Sequence, residues 1–160
     1  MKYYEIHDDI YKDLKRKKVL TWDGEKDMKN ILDSEVNHAI NERISNYFPE
    51  TKSQTVLDLG TGTGNSALFL ATKGFKVTGY DLSETAIEMA KENASVLDLD
   101  IDFFVQDIVK SSIFDEYNLV VDSSFLHCIV FNDEREKIYQ SIRKALKKKW
   151  IFLYSYNDTN

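Results

Sequence analysis

The sequence predicts a single doubly wound α/β domain, a mostly parallel sheet with helices on both faces, and three observations carry that prediction. Apolar runs of strand length alternate with helical stretches from Thr55 onward, which implies crossover connections between parallel strands. The 160 residues amount to about one domain. Three of the six glycines, Gly60, Gly62 and Gly64, fall in one turn between the first apolar run and the first helical stretch after it.

Residues 1–50 read as a helical cap. Met28, Ile31, Leu32, Ala39, Ile40, Ile44 and Tyr47 recur at helix spacing, and Pro49 closes the run. Residues 54–158 read as the core, in a single domain spanning 1–160 with no internal repeat and no linker. TVLDL is the first strand, and Ser66 to Lys73 a helix with Ala67, Leu68, Leu70 and Ala71 apolar. FKVTGY follows as the second strand, then Ser83 in N-cap position before a helix carrying Ala86, Ile87, Ala90 and Ala94. IDFFV is the third strand and YNLVVD the fourth. After the loop SSFLHCIVF, a helix capped by Asn132 has Asp133 and Glu134 in its first turn and turns Ile138, Ile142 and Leu146 inward. WIFLYSY is the fifth strand.

Composition narrows the function. Hydrophobic residues make up 42% and charged residues 30%, which is ordinary globular usage and excludes low-complexity classes. No apolar stretch approaches the roughly 18 to 20 residues that cross a bilayer, and MKYYEIHDD lacks a signal-peptide run, so a cytoplasmic protein without a membrane partner is expected. Cys128 is the only cysteine, and His7, His38 and His127 are scattered, so neither a disulfide nor a metal site is expected. A net charge of −6 argues against a protein that tracks a nucleic-acid backbone and favours a small-molecule partner.

VLDLGTGTGN lies where a strand hands over to a helix, at the carboxyl end of the sheet where ligands bind. No lysine or arginine occurs from Ser53 to Thr72, so the loop lacks the cation of a triphosphate-binding P-loop. A dinucleotide fingerprint would place its third glycine where Asn65 stands, and Asp58 would repel a pyrophosphate; a nicotinamide-dependent oxidoreductase ranks last among the readings. Asp58 instead suits an ammonium. Asp81, 21 residues beyond Gly60, ends the second strand where a carboxylate accepts from both hydroxyls of a ribose. Asp107 follows the third strand, placed to accept from an adenine amino group, with the Ile108 N–H available to a ring nitrogen.

Taken together, these motifs resemble the class I S-adenosylmethionine-dependent methyltransferases, with their Rossmann-like sheet. VLDLGTGTGN is similar to that family's first motif, VTGYDLSETAIEMAKENA to its second and FFVQDI to its adenine-contacting segment. The stretch from YNLVVDSSFLHCIVF to the end resembles a small-molecule branch, and Trp22 of TWDG falls where that branch often carries a tryptophan. The resemblance implies that Gly60, Thr61, Gly62 and Gly64 cradle the methionine end and that Asp58 anchors its amino group directly or through water. It further implies that Asp81, with Leu82 beside it, holds the ribose and that Asp107 and Ile108 read adenine. Asp122, Ser123 and Ser124 border the departing methyl group, and S-adenosylhomocysteine is the product. His127 is the candidate base, or else a capping or buried histidine; Cys128 is read as packing. Tyr3, Tyr4, Tyr11 and Trp22 form an aromatic lid over the sulfonium or anchor the N-terminal helices.

The sequence departs from the family in two places. DSSF after the fourth strand lacks the prolines of the enzymes that methylate exocyclic base amines, and lysines 147–149 stand where a Lys-Pro-Gly-Gly turn is usual, reading as a surface charge run. Family members usually continue past strand five, whereas the sequence ends at Asn160, so C-terminal strands are expected to be missing and strand five to be an edge that a second copy covers. The leading expectation is methyl transfer to a small-molecule acceptor. The alternative is a domain or subunit that binds the cofactor without turnover.

Overall fold

The computed structural model describes residues 6–122 and 125–154, of which 148–154 by backbone. Strand β1 (Thr55–Leu59) occupies the middle of the sheet, and its composition explains why: Val56 and Asp58 face one side, Leu57 and Leu59 the other, and all four are fully buried. β2 (Lys76–Asp81) and β3 (Asp102–Val105) lie to one side of it, β4 (Tyr117–Asp122) and β5 (Leu146–Tyr154) to the other. All pairings are parallel in the order β3-β2-β1-β4-β5, so the chain reverses its direction of travel between β1 and β4. In sheets of this kind such a reversal marks the crevice where ligands bind, here at the carboxyl ends of β1 and β4, where Leu59 pairs with Asp122.

Helices cover both faces. α4 (Asn65–Thr72) and α5 (Glu84–Val96) pack on the face of Val56, Val77, Phe103, Leu119 and Val121, joined there by Ile40 and Ile44 of α3 (Glu35–Tyr47). α6 (Asn132–Ala145) covers the opposite face through Ile138, Ile142 and Ala145, beside Leu57, Leu59 and Val120. The N-terminal cap is three helices: α1 (His7–Arg16), α2 (Met28–Leu32) and α3. Ser34 separates the last two by accepting from the Asn37 N–H, a side-chain cap that interrupts the expected run. Tyr47, expected on the apolar face, is exposed at the end of α3. No described helix is long and apolar enough to cross a membrane.

Several boundaries shift by a residue from the sequence reading, and two changes at α6 and β5 have a local cause. The residue capping α6 is Phe131, and Asn132 is the first helical residue, because the Arg135 N–H bonds the Phe131 carbonyl. β5 begins directly from α6 at Leu146, which the sequence reading placed in the helix, so Lys147, Lys148 and Lys149 belong to the strand. A step of two residues on β4 (Tyr117 to Leu119) faces a step of five on β5 (Leu146 to Ile151), an irregularity that absorbs the lysines. The Lys147 ammonium reaches Thr55 Oγ1 and Asn118 Oδ1, both at 3.4 Å, which gives this cation polar partners at the start of the sheet.

Candidate functional site

The loop from Gly60 to Gly64 turns through left-handed backbone at all three glycines, with φ of +65°, +55° and +91°. At Gly62 a side chain would also have to displace the Tyr11 hydroxyl, whose oxygen stands 2.8 Å from where a Cβ would be. Gly79, beside Asp58 in the β1–β2 register, lets the Phe103 ring and the Thr61 hydroxyl enter the sheet face within 2.9 Å of a Cβ position. The loop is pinned by backbone groups: Thr61 N–H donates to the Tyr80 carbonyl at 2.9 Å and Gly64 N–H to the Thr61 carbonyl at 2.8 Å.

Asp58 is fully buried beneath this loop. Its Oδ2 accepts from the Thr61 hydroxyl at 2.7 Å, while Oδ1 has no hydrogen-bond partner among the described residues. Burial pushes its carboxyl up to about 7; the Thr61 bond and the nearby Ala67 N–H oppose the rise, and the charges of Asp122 and Asp81 add to it. Asp81 ends β2 half-buried, with Oδ2 accepting from the Gly62 N–H at 2.8 Å and Oδ1 from the Ser83 N–H at 2.9 Å. Each oxygen keeps a lone pair for a further donor. Burial raises this carboxyl too, in spite of those two bonds. Neither Asp58 nor Asp81 pairs with a lysine or arginine among the described residues.

Asp122, fully buried at the end of β4, caps the turn that follows: Phe125 N–H donates to Oδ1 at 2.6 Å and Leu126 N–H to Oδ2 at 3.1 Å. The Phe125 side chain is thereby laid against Gly60, its Cβ 2.5 Å from where a glycine Cβ would project. His127 is exposed on this turn with Nε2 3.3 Å from Cys128 Sγ. Cys128 is half-buried, its thiol pushed up by burial and by the charges of Asp122 and Asp81. It therefore stays protonated at neutral pH and belongs to the electrostatic surroundings of the site, more than packing alone implies.

The third strand end is arranged differently. Gln106 N–H bonds the Asp81 carbonyl at 2.7 Å and so sets Asp107 beside β2. Asp107 Oδ1 accepts from the Val109 and Lys110 N–H groups, and Oδ2 pairs with the Lys110 ammonium at 2.7 Å. Ile108 is buried, and its N–H has no acceptor among the described residues.

Helix α1 roofs the loop. Tyr11 is buried against Ala86 and Met89 of α5, and burial together with the nearby Asp81 charge holds its hydroxyl well above the ordinary phenol range. Trp22, 48% exposed, meets Tyr11 and His7 edge-on at 5.3 and 5.4 Å. Asp8 caps α5 from outside it, accepting from the Ser83 hydroxyl at 2.6 Å and the Thr85 N–H at 3.2 Å.

The structure thus brings Asp58, Gly60, Thr61, Gly62, Gly64, Asp81, Leu82 and Asp122 together at one crevice, with Tyr11 and Trp22 above it and Asp107 and Ile108 at its outer side. Ser123, Ser124, Tyr3 and Tyr4 lie outside the described residues. Phe125 and Asn93, which meet the loop, and Asp8, which meets the start of α5, had no sequence signal, because each finds its partners only through the tertiary fold. Among the described residues no group of three His, Cys, Asp or Glu side chains could hold a metal ion.

A family model described as a methyltransferase domain matches residues 56–149. A ribosomal protein methyltransferase of Dictyoglomus turgidum is 32% identical over 116 residues, covering 71% of this chain and 36% of that protein. A tRNA uracil methyltransferase of Pyrococcus horikoshii is 44% identical over 54 residues, 34% of this chain and 13% of that protein. The chain spans about half or less of the length of the curated relatives it matches. Among solved structures, magnesium protoporphyrin IX methyltransferase of Synechocystis with bound S-adenosylmethionine superposes with a TM-score of 0.72 at 20% identity, covering 95% of this chain and 76% of that one. An S-adenosylmethionine-dependent methyltransferase of Clostridium acetobutylicum gives 0.66 at 23%, covering 96% and 57%.

Proposed function

The chain belongs to the methyltransferase-domain family, of the class I type that uses S-adenosylmethionine, and from that premise we propose that it transfers a methyl group from this cofactor to a small nucleophilic molecule. Asp58 carries the reading. A buried carboxylate with an unpartnered oxygen, flanked by the charges of Asp81 and Asp122, is costly unless a cation arrives to meet it. The ammonium of an amino-acid-bearing cofactor is such a cation, and it lies next to a loop whose backbone can be approached closely.

In this reading Asp58 takes the ammonium and the Gly60–Gly64 backbone the rest of the methionine end. Asp81 uses its remaining lone pairs on the ribose hydroxyls, with Leu82 beside it, and the free Ile108 N–H and the Asp107 carboxylate read adenine. Trp22 and Tyr11 offer ring faces and edges to the sulfonium side. When bound, S-adenosylmethionine supplies a methyl group on a positively charged sulfur that is already a leaving group. The protein's task is then alignment: the Asp122-capped turn, with Ser123 and Ser124 before it, holds the acceptor side in place. His127, exposed on that turn, takes the proton when the acceptor is an alcohol or amine, and has no such task when it is a thiolate or halide.

The net charge of −6 supports a small acceptor over RNA, although relatives act on tRNA and on a ribosomal protein. β5 stands at the edge of the described sheet, and pairing of two copies along it would cover that edge; a monodisperse monomer in light scattering at tens of micromolar rejects the pairing. The test of function is transfer of a labelled methyl group from S-adenosylmethionine to thiols, halides, amines and RNA offered in parallel. Labelled thiol or halide supports the proposal. Labelling of RNA alone overturns the acceptor class, and cofactor binding without labelling of anything favours a binding domain without turnover.

A further inference from the structure

We propose that Asn93 is a positioning residue of the cofactor site, fastening the glycine loop to the N-terminal segment that roofs it; this rests on the cofactor reading above. Asn93 sits on α5 with only 4% of its surface exposed. Its Nδ2 donates to two carbonyl oxygens at once, Thr63 O at 3.0 Å and Leu20 O at 3.3 Å. Both partners are acceptors, so only the nitrogen end of the amide can face them, and an aspartate of the same shape would set a carboxylate against two carbonyls.

The two carbonyls belong to parts of the chain far apart in sequence. Thr63 lies between Gly62 and Gly64, in the left-handed stretch of the loop. Leu20 opens the turn that carries Trp22; its N–H bonds the Glu25 carbonyl at 2.8 Å, and the buried Thr21 hydroxyl accepts from the Glu25 N–H at 3.1 Å. Trp22 in turn packs edge-on against Tyr11, whose hydroxyl stands over Gly62. One buried NH2 group therefore fixes the loop and its roof against the same helix. A glycine-rich loop has little conformational preference of its own, so the height of Tyr11 and Trp22 above it depends on ties of this kind. A tenfold effect on cofactor affinity is the expected scale for losing a buried amide that serves two acceptors.

The test compares the wild-type chain with Asn93→Asp and Asn93→Ala by calorimetric titration with S-adenosylhomocysteine below the melting temperature of each variant, and by hydrogen exchange without ligand. The expected result is affinity weakened about tenfold or more, with exchange accelerated together in the segments 61–65 and 20–25. Should Asn93→Asp fail to fold, Asn93→Ala removes the donors without adding charge and carries the comparison. A folded variant that binds within about twofold of wild type, while losing melting temperature, makes Asn93 a packing residue and overturns the proposal. A wild-type chain that binds no S-adenosylhomocysteine overturns the cofactor reading itself and this proposal with it. That outcome is distinct, because failure of the tie alone leaves wild-type binding intact.

Discussion

The carboxyl ends of β1 and β3 carry the same residue type and have opposite electrostatics. At β1, Asp58 is fully buried, one oxygen has no partner among the described residues, and its carboxyl is pushed up to about 7. Beyond β3, Asp107 is served by two backbone N–H groups of its own turn and by the Lys110 ammonium. The difference teaches where the fold keeps unmet interaction. The acid at the outer strand is satisfied by the chain itself, whereas Asp58, beside the reversal between β1 and β4, is buried with no lysine or arginine paired to it among the described residues, which is the arrangement that favours a charged ligand.

Asp81 gives the largest expected effect on this contrast, since it serves the loop and the ligand together. Its oxygens anchor the Gly62 and Ser83 N–H groups, and its remaining lone pairs are the ones assigned to the ribose. Asp81→Ala should weaken S-adenosylhomocysteine binding more than tenfold, about 1.5 to 3 kcal/mol, in calorimetric titration. A change below threefold in a folded variant would place the nucleoside away from β2 and break the contrast at its centre.

Asp58 makes the contrast depend on pH. Its folded-state carboxyl lies above the ordinary value of 3.8, at about 7, so it binds a proton more tightly folded than unfolded. Its contribution to stability is therefore full below the ordinary value and is lost as pH rises towards about 7. Ligand binding has the opposite slope, because an ammonium needs the ionised form: affinity should rise between pH 5 and 7, with proton release on binding in that window. Asp58→Asn keeps an acceptor for Thr61 and removes the titration. We expect affinity about tenfold weaker at pH 7, a flat pH profile, and a melting temperature that gains on wild type as pH increases from 5 to 8. A wild-type profile without slope over that range would show Asp58 to be ionised already and met by some other group.

Local features were legible in the sequence where a single segment decides them. Ser83 caps α5 as its position announced, the glycine turn follows β1, and the fourth strand runs from Tyr117 to Asp122 as the run YNLVVD predicted. Features set by contact between distant segments were not legible. The lysine run looks like a turn until the Thr55 and Asn118 side chains that receive Lys147 are in place. Asn93 reads as one polar residue on a helix until Thr63 and Leu20 meet it. Tyr11 reads as lid or anchor, and the fold shows it packed on α5 with its hydroxyl over Gly62, which is the anchoring arrangement.

Asp107 supplies the smallest expected effect, and its smallness is what the contrast requires. An asparagine there keeps one acceptor oxygen for the Val109 and Lys110 N–H groups of its own turn, so Asp107→Asn removes the charge and the second oxygen, the one paired with Lys110. The charge is paired with Lys110, whose side chain is 57% exposed, and such pairs contribute roughly 0 to 1 kcal/mol with screening by salt. We expect S-adenosylhomocysteine affinity within about threefold of wild type and a difference that shrinks further in high salt. A tenfold loss would mean that the outer acid meets the ligand as a charge, with Lys110 displaced on binding. The unmet electrostatics would then extend across all three strand ends instead of being confined to the reversal between β1 and β4.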